Sequence, residues 1–448
     1  MNIKTMIQKV AKSKFVGNTG WLLFQNIYSM LLSLVIGALS VRYLGPSNYG
    51  LIGYGSSLVS LFTCISQLGL NSILLNEIVD DPDEKGTIMG TALVMRLAAS
   101  VVSFCCVLIF VAIIEPGNKI LMVVTALQSF AILCNTYELL NEWFLSEMQS
   151  KVYVVAASVG ATVVGVWKIV LLMLGASVQW FAASTTIQAL VCGGIIFAVF
   201  MKRKQFKLRL SWQRAKEMFG KSNHYIISGL AIALYTQMDK VMLGKMMGER
   251  EVGLYTSAMT IAMLWEFIPQ AIINSSRAVI LEKKTKSHEA YLKLLQLLLL
   301  GISVMSICVG LGIQIFGKYV IYILYGQEYM ESVPILQMLI WSTGFAMLGT
   351  AQGIWNVAED KNRYVKYYTL MGGIFNLIFN YFAIPVWGMA GAALGTFFSQ
   401  VIVSLGAPLL FKNTREYVGL YVRSWKYMTH LKELMALVGK NENEQDKK

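Results

Sequence analysis

Five ionisable side chains lie within long apolar stretches of the sequence: Arg96, Lys168, Asp239, Lys240 and Glu266. A charged group inside a bilayer is costly, so each of these should face a partner or a water-filled cavity. Such charges are functional by default, and the alternative for each is a buried ion pair or a position outside the span, if the helix boundary differs from the predicted one. Asp239 and Lys240 are adjacent and point about 100° apart on a helix, so only one of them can face a given cavity.

Uncharged polar residues recur at helical spacing in the same stretches. The predicted stripes are Asn18, Gln25 and Ser29; Thr63, Gln67 and Asn71; Gln352 and Asn356; and Asn376 and Asn380. Residues four apart share one helix face, so stripes in both halves of the chain predict a hydrophilic vestibule. Hydrogen bonding between helices is the alternative interpretation of any single stripe. Pro269, three residues after Glu266, predicts a bend beside that carboxylate.

The elements that must position these residues are membrane-spanning helices. Hydrophobic residues make up 56% of the 448 and only 14% are charged, whereas a soluble domain would carry about a quarter charged residues. Apolar stretches of about 20 residues, the length that crosses a bilayer, recur along the chain. We predict an all-α membrane protein with about twelve spans, at 15–41, 49–76, 87–114, 120–140, 152–175, 178–201, 224–247, 252–278, 290–315, 333–358, 364–387 and 388–411.

Basic residues concentrate in segments that twelve spans place on one side of the membrane. These segments are the N-terminal arm, 202–221, 282–288, 361–366 and the tail from Lys412. Cytoplasmic loops carry the excess of Lys and Arg, so both termini should be cytoplasmic. An acidic segment at 77–85 lies on the same side, but acidic residues weigh little in this rule.

The two halves of the chain carry an internal repeat. YLGPSNYGLI at 43–52 matches MMGEREVGLY at 246–255 with a constant offset (246 − 43 = 203), and both join the first two helices of a half. The aligned glycines are Gly45 with Gly248 and Gly50 with Gly253, and the alternative is a chance match, because loops favour glycine. Transporters use such repeats to rock two lobes around a central site. The predicted organisation is a basic interfacial arm at 1–14, an N-lobe at 15–201, a basic linker at 202–223, a C-lobe at 224–411 and an amphipathic cytoplasmic tail at 412–448.

Several functional classes find no support in the sequence. A net charge of +13 would suggest nucleic acid in a soluble protein, but here the cations lie between apolar runs. The chain has no GxxxxGK[ST] loop and no HExxH motif, which argues against ATP-driven pumping and metalloprotease chemistry within it. The six cysteines lie inside apolar runs and the three histidines are far apart, so no metal site is predicted. We do not expect an enzyme.

Four segments together resemble the polysaccharide-biosynthesis flippases, the O-antigen or capsule repeat-unit flippases of the multidrug/oligosaccharidyl-lipid/polysaccharide exporter superfamily. They are NTGWLLFQNIYSMLLSLVIGALSVRYLGPSNYGLIGYGSSLVSLF at 18–62, QMDKVMLGKMMGEREVGLYTSA at 237–258, YGQEYMESVPILQML at 325–339 and GMAGAALGTFFSQ at 388–400. The resemblance spans nearly the whole chain. It is specific for the family and uninformative about the sugar.

This resemblance implies a V-shaped pair of six-helix lobes that alternate access. The implied cargo is an undecaprenyl-pyrophosphate-linked oligosaccharide, moved from the cytoplasmic to the periplasmic leaflet of a bacterial inner membrane. A pyrophosphate is anionic and favours Arg or Lys in a desolvated site. The candidate substrate-binding residues are Arg42, Arg96, Lys168, Lys240, Asn18, Gln25, Gln67, Asn71, Gln352, Asn356 and Asn376. Arg42 would stand at the outer mouth, and Lys245 is its repeat mate (245 − 42 = 203).

Asp239 and Glu266 are the candidate ion-coupling carboxylates, for H+ or Na+, and no other cofactor is expected. Besides the cargo and membrane lipids, a polysaccharide polymerase and a chain-length regulator are candidate partners.

Two other functions remain open. A small-molecule drug/cation antiporter of the same superfamily would be favoured by a cavity dominated by carboxylates. A membrane polymerase would need a long external loop, which the sequence does not offer. The related lipid II flippases have about fourteen spans, so a count of twelve argues against that branch. A carboxylate partner or a lipid-facing position for Arg96 or Lys240 would remove that residue from the cation site.

Overall fold

A computed structural model describes residues 14–147, 149–204 and 206–430 of the chain, and the described part contains no β-strand. The first eight α-helices are α1 (Lys14–Gln67), α2 (Asn71–Asp80), α3 (Lys85–Ile114), α4 (Lys119–Cys134), α5 (Tyr137–Ser146), α6 (Lys151–Leu174), α7 (Val178–Ala182) and α8 (Ser184–Arg203). They are followed by α9 (Trp212–Met246), α10 (Glu249–Met263), α11 (Phe267–Lys286), α12 (His288–Tyr325), α13 (Val333–Ala358), α14 (Asn362–Trp387), α15 (Met389–Val401), α16 (Ala407–Leu410) and α17 (Arg415–Ser424). The predicted all-α class is confirmed.

Among the described residues, ten helices or helix pairs are long and apolar enough to cross a membrane. Two features separate this number from the predicted twelve. The first predicted span and most of the second lie in the single helix α1, and α9, which contains Asp239 and Lys240 of the predicted span 224–247, is not among the ten. The predicted count of twelve is therefore approximate.

The junction between the first two predicted spans is a kink at Gly45 within α1. Gly45 has a φ of 69° and a ψ of 169°, a conformation that residues with a Cβ rarely adopt, and Pro46 follows it. Its repeat mate Gly248, between α9 and α10, also has a positive φ, 110°. The two halves therefore turn from their first to their second helix at the same position of the repeat.

The repeated glycines also pack against each other. A Cβ on Gly50 would overlap the carbonyl oxygen of Glu249, and a Cβ on Gly253 would overlap that of Pro46. Glu249 is the repeat mate of Pro46 (249 − 46 = 203), so the two contacts are the same contact with the halves exchanged. Such a reciprocal arrangement is what a twofold-related pair of elements produces.

The described chain divides into two compact units. The first comprises Met1–Leu254 with Leu324–Glu328, and the second comprises Tyr255–Ile323 with Tyr329–Lys448. The first unit extends beyond the linker predicted at 202–223, because α9 packs along α1 and α3. The repeat places the start of the second lobe at residue 224, whereas packing places the end of the first unit at Leu254. The two boundaries therefore differ by most of α9 and the start of α10.

The acidic segment predicted at 77–85 binds the basic stretch that opens α9. Arg214 forms ion pairs with Asp81 and Glu84, and Lys221 pairs with Glu77. The hydrogen bond that Arg214 donates to Glu84 Oε2, at 2.7 Å, raises the pKa of that guanidinium. These carboxylates therefore bind the linker to the segment that follows α2.

The C-terminal tail begins with an amphipathic helix. In α17, Tyr417, Leu420 and Ser424 are buried and Val422 is exposed. The buried face packs on the second unit, where the rings of Tyr417 and Trp355 lie 5.7 Å apart between centroids. The predicted arm at 1–14, apart from Lys14, and the tail from 431 lie outside the described residues.

Candidate functional site

The most deeply buried of the predicted charges is Arg96 on α3, with 1% of its surface exposed. Its Nη2 lies 2.7 Å from Glu138 Oε2, and its Nη1 donates a hydrogen bond of 3.4 Å to Asn71 Oδ1. Asn71 Nδ2 donates in turn to Glu138 Oε2 at 3.4 Å. Arg96, Asn71 and Glu138 form what we call the Arg96 cluster, and Glu138 is the carboxylate partner that counts against Arg96 as a cargo cation.

Helix geometry places Glu138 in this cluster. The span that contains it is interrupted at Asn135 and Thr136, so that α4 ends at Cys134 and α5 begins at Tyr137. Glu138 therefore stands in the first turn of a helix, where a negative charge is stabilised by the helix dipole. The residue lies inside the predicted span 120–140, and a search for a carboxylate to neutralise Arg96 would have found it. Glu138 is the residue that the sequence analysis missed.

The other two predicted cavity cations, Lys168 on α6 and Lys240 on α9, differ from Arg96. Both are half-buried, and neither forms an ion pair with the described residues. Lys240 Nζ donates a hydrogen bond of 3.4 Å to Gln237 Oε1 on its own helix. Asp239, next to it, is 3% exposed, so the two neighbours lie in different environments, as expected for adjacent helical positions. Asp239 acts on the Lys240 amine electrostatically without forming an ion pair, and half-buried amines without an ion-pair partner suit an anionic ligand.

Glu266 lies at an interruption of its span. A 3-10 turn, Leu264–Glu266, separates α10 from α11, and Pro269 follows it in the first turns of α11. Proline cannot donate the backbone hydrogen bond that would reach back to residue 265, which explains why the regular helix is interrupted here. Trp265 Nε1 instead donates to Thr343 Oγ1 at 2.9 Å. Glu266 is half-buried and has no hydrogen-bond or ion-pair partner among the described residues.

Some residues of the polar stripes predicted in the first half form hydrogen bonds within the protein. Gln25 Nε2 donates to Ser29 Oγ at 3.2 Å, which confirms their shared helix face. Thr63 bonds to the carbonyl of Val59 in its own helix, and Gln67 is the last residue of α1. Of Asn18, only the backbone helix is described. These contacts fit the alternative interpretation, in which such residues bond within and between helices.

The amide stripes of the second unit are more deeply buried. Gln352, Asn356, Asn376 and Asn380 are each at most 2% exposed. Asn380 Nδ2 donates to Asn376 Oδ1 at 3.2 Å, which confirms the predicted pairing across one helical turn of α14. Gln352 Nε2, Asn356 Oδ1 and Asn376 Nδ2 have no hydrogen-bond partner among the described residues. Buried polar atoms normally have a partner, so these amides mark a polar interior in the second unit.

Arg42 and its repeat mate Lys245 occupy matching places at the predicted outer end. Lys245 Nζ donates to the carbonyl of Ile114, the last residue of α3, at 2.7 Å. Arg42 lies against Gly326, directly after the end of α12, where a Cβ would be 3.3 Å from its Nε. Each cation thus meets the C-terminus of the third helix of the opposite half, where the helix dipole favours positive charge. Both contacts lie within the first unit.

Lys245 belongs to a group of side chains that contact one another between the two sequence halves. Its Nζ lies 3.6 Å from Glu115 Oε1, and the Tyr54 hydroxyl donates to the same carboxylate oxygen at 3.0 Å. Close by in sequence, Asn118 Nδ2 donates to Glu249 Oε1 at 2.8 Å. We call these five residues the outer brace. The brace joins loops of the first half to the first junction of the second half.

Within each unit, some of the predicted site residues contact one another. Arg96 and Asn71 share a cluster, Asn376 and Asn380 form a second, and Arg42 lies at the outer end. The described residues contain no group of three or more His, Cys, Asp or Glu side chains suited to a metal ion.

Comparison with known proteins supports a transporter architecture. The model of a family described as polysaccharide biosynthesis protein matches residues 39–334, and no curated protein matches the sequence. The structure of the lipid II flippase MurJ in an inward closed conformation superposes with a TM-score of 0.68 at 14% identity, over 94% of this chain and 93% of that one. An inward-facing multidrug resistance MATE transporter of the MOP superfamily superposes with a TM-score of 0.65 at 16% identity, over 86% and 94%. The chain belongs to the polysaccharide biosynthesis protein family, and its fold is that of the MOP-superfamily transporters.

Proposed function

We propose that this protein is a flippase that moves an undecaprenyl-pyrophosphate-linked oligosaccharide from the cytoplasmic to the periplasmic leaflet. Membership of a polysaccharide biosynthesis family supports a carbohydrate cargo, and a fold shared with a lipid II flippase supports a lipid-linked one. The proposed setting is O-antigen or capsule assembly in a bacterial inner membrane, and the basic segments favour cytoplasmic termini. A polysaccharide polymerase and a chain-length regulator would then act on the product.

The observation that carries this proposal is the pair of half-buried lysines, Lys168 and Lys240. Neither amine forms an ion pair with a carboxylate of the described residues, in contrast to Arg96, although the neighbouring Asp239 carboxylate acts on Lys240 electrostatically. An anionic pyrophosphate would supply the missing counter-charge, and hydrogen bonds between charged groups are the strong ones in proteins. The buried amides of the second unit offer neutral donors and acceptors that suit sugar hydroxyls.

Complementation tests the proposal. The chain would be expressed in a host that lacks its own O-antigen flippase but still makes undecaprenyl-linked repeat units, and surface polysaccharide would be measured. We expect restored polymer, with Lys168→Met and Lys240→Met each lowering it about tenfold or more, because a hydrogen bond to a charged group contributes roughly 1.5–3 kcal/mol. Lys119→Met is the matched control, since Lys119 is exposed at the start of α4 and has no ion pair among the described residues.

Two results would contradict the proposal. Absence of surface polymer in several sugar backgrounds, at normal expression and membrane insertion, would remove the flippase function. Restored polymer that is unchanged in both lysine variants would keep the flippase function and remove the two lysines from the site.

A drug or cation antiporter is the second candidate, and Glu266 is the observation that favours it. This half-buried carboxylate has no partner among the described residues and lies at an interrupted helix, which suits the binding of a cationic drug or a coupling ion. Resistance to cationic dyes that is lost in Glu266→Gln, without surface polymer, would support the antiporter. If the protein is a flippase, Glu266 and Asp239 are the candidate groups that couple transport to H+ or Na+. Glu266→Gln would test the first and Asp239→Asn the second.

A further inference from the structure

The linker between α8 and α9 runs as a strap along the start of α3. Burial alternates along it, since Phe206 and Leu208 are half-buried whereas Lys207 and Arg209 are exposed. Phe206 and Leu208 point inwards and pack on the buried cluster around Trp143 and Phe200. The ring of Phe206 lies 6.1 Å from that of Trp143 between centroids. Lys207 and Arg209 therefore point outwards, and we call this segment the strap.

Two glycines one turn apart on α3, Gly86 and Gly90, let the backbone of the strap pack directly against this helix. Arg209 N donates to the carbonyl of Gly86 at 3.1 Å, and Ser211 N donates to Thr91 Oγ1 at 3.0 Å. A Cβ on Gly90 would lie only 2.8 Å from Arg209 N, so the backbones are in direct contact. The strap is therefore a fixed element, and its outer side chains are presented from a rigid support.

The outer face of the strap and the first two turns of α9 together combine cations with exposed apolar groups. Lys207, Arg209 and Lys216 are exposed and form no ion pair with the described residues. Leu210 is 62% exposed, and Trp212 at 84% is the most exposed large apolar side chain of the described part of the chain. The neighbouring Arg214 and Lys221 are already paired with the acidic segment, so they do not share this role.

We propose that this face docks on anionic phospholipid headgroups of the cytoplasmic leaflet. The strap lies at the end of the predicted span 87–114, which is the depth of the headgroups. Tryptophan is enriched at that depth, because its ring is apolar and its N–H is polar. Lys and Arg next to a membrane are attracted by anionic lipids. The strap would thus anchor the linker and α9 at the membrane surface, whatever the cargo is.

Quenching of Trp212 by brominated lipids tests this docking. The full-length protein would be placed in nanodiscs in which either phosphatidylcholine or phosphatidylglycerol carries bromine near the headgroup end of its chains. The contribution of Trp212 is the difference between the wild type and Trp212→Phe. We expect stronger quenching of Trp212 by the brominated anionic lipid than by the zwitterionic one, and a decrease of this excess with added salt.

The charge requirement is tested by a triple variant, Lys207→Gln, Arg209→Gln and Lys216→Gln, which should remove the excess quenching by the anionic lipid. The matched control, Lys361→Gln, Lys366→Gln and Lys412→Gln, has the same net charge and alters lysines elsewhere on the predicted cytoplasmic side. The control should retain the excess. The thermal unfolding midpoint of each variant, measured in zwitterionic nanodiscs, shows that the fold is kept.

Four outcomes would overturn the docking. The first is that neither brominated lipid quenches Trp212 fluorescence. The second is that both lipids quench it equally. The third is competition by micromolar inorganic pyrophosphate, which would reassign the face to a pyrophosphate head group. Equal losses in the triple variant and its control would show only a net-charge effect and would also contradict the proposal.

Discussion

At the scale of single residues, Arg96 shows how the protein keeps a charge inside an apolar helix. Its guanidinium is 1% exposed, and it is held by Glu138 and Asn71 from two other helices. Removing two charges from water costs several kcal/mol per ion, so such a pair contributes little net stability. Loss of one partner is different, because the remaining charge is then buried alone.

We predict that Glu138→Gln lowers the free energy of unfolding by about 3 kcal/mol, because it leaves Arg96 without a counter-charge. This value is at the lower end of the usual range because Glu138 is itself 31% exposed. Thermal and denaturant unfolding in detergent would measure it. The double variant Arg96→Met, Glu138→Gln should be more stable than the sum of the single effects predicts.

The exposed pair of Lys85 and Glu147 is the control for this measurement. Its atoms are 3.0 Å apart, but its side chains are 29% and 37% exposed. Glu147→Gln should therefore change stability by at most about 1 kcal/mol. Equal losses for Glu138→Gln and Glu147→Gln would contradict the structural role of the Arg96 cluster.

At the scale of elements, the glycines of the repeat determine how closely two helix junctions approach. Gly50 of α1 meets the backbone at Glu249, and Gly253 of α10 meets the backbone at Pro46. A side chain at either glycine would require the two backbones to separate. The sequence motif is thus explained by a crossing of main chains and not only by turn formation.

We predict that Gly50→Ala and Gly253→Ala each destabilise the protein by about 2 kcal/mol through overpacking at this crossing. Gly37→Ala on the same helix α1 is the matched control, because nothing lies within 4 Å of the place its Cβ would take. That variant should not lower the unfolding midpoint. Similar unfolding midpoints for all three variants would refute the close approach.

At the scale of the whole molecule, the repeat generates paired contacts at the predicted outer end. Lys245 meets the end of α3, and its mate Arg42 meets the end of α12. Asn118 and Glu249 of the outer brace add a side-chain contact of 2.8 Å between the two sequence halves. A transporter whose halves rock against each other must break such contacts during its cycle.

We therefore predict that linking Asn118→Cys to Glu249→Cys stops transport. In a background without the six native cysteines, a short bifunctional thiol reagent should crosslink this pair, and cleavage of the link should restore surface polymer. The pair Lys85→Cys and Glu147→Cys is the control, since both positions belong to the first half. Its crosslink should leave transport intact, and transport that persists with Asn118 and Glu249 linked would exclude opening at the brace.

The sequence alone determined the class of this protein, because crossing a bilayer imposes long apolar helices that a local sum of hydropathy detects. It also indicated the repeat, since Gly45 and Gly248 are required wherever the backbone turns with a positive φ. The family resemblance rests on the same local segments and is confirmed by the match over 39–334. The interruption near Glu266 was predictable because proline removes a backbone donor.

Tertiary structure alone decided which of these residues meet. Arg96 and Glu138 are separated by 42 positions, and Arg214 and Asp81 by 133, so no local pattern links them. Packing of α9 against α1 likewise placed the unit boundary after the predicted linker. Hydropathy is a sum over neighbours in the chain, whereas the partner of a buried charge depends on how distant helices rotate and pack.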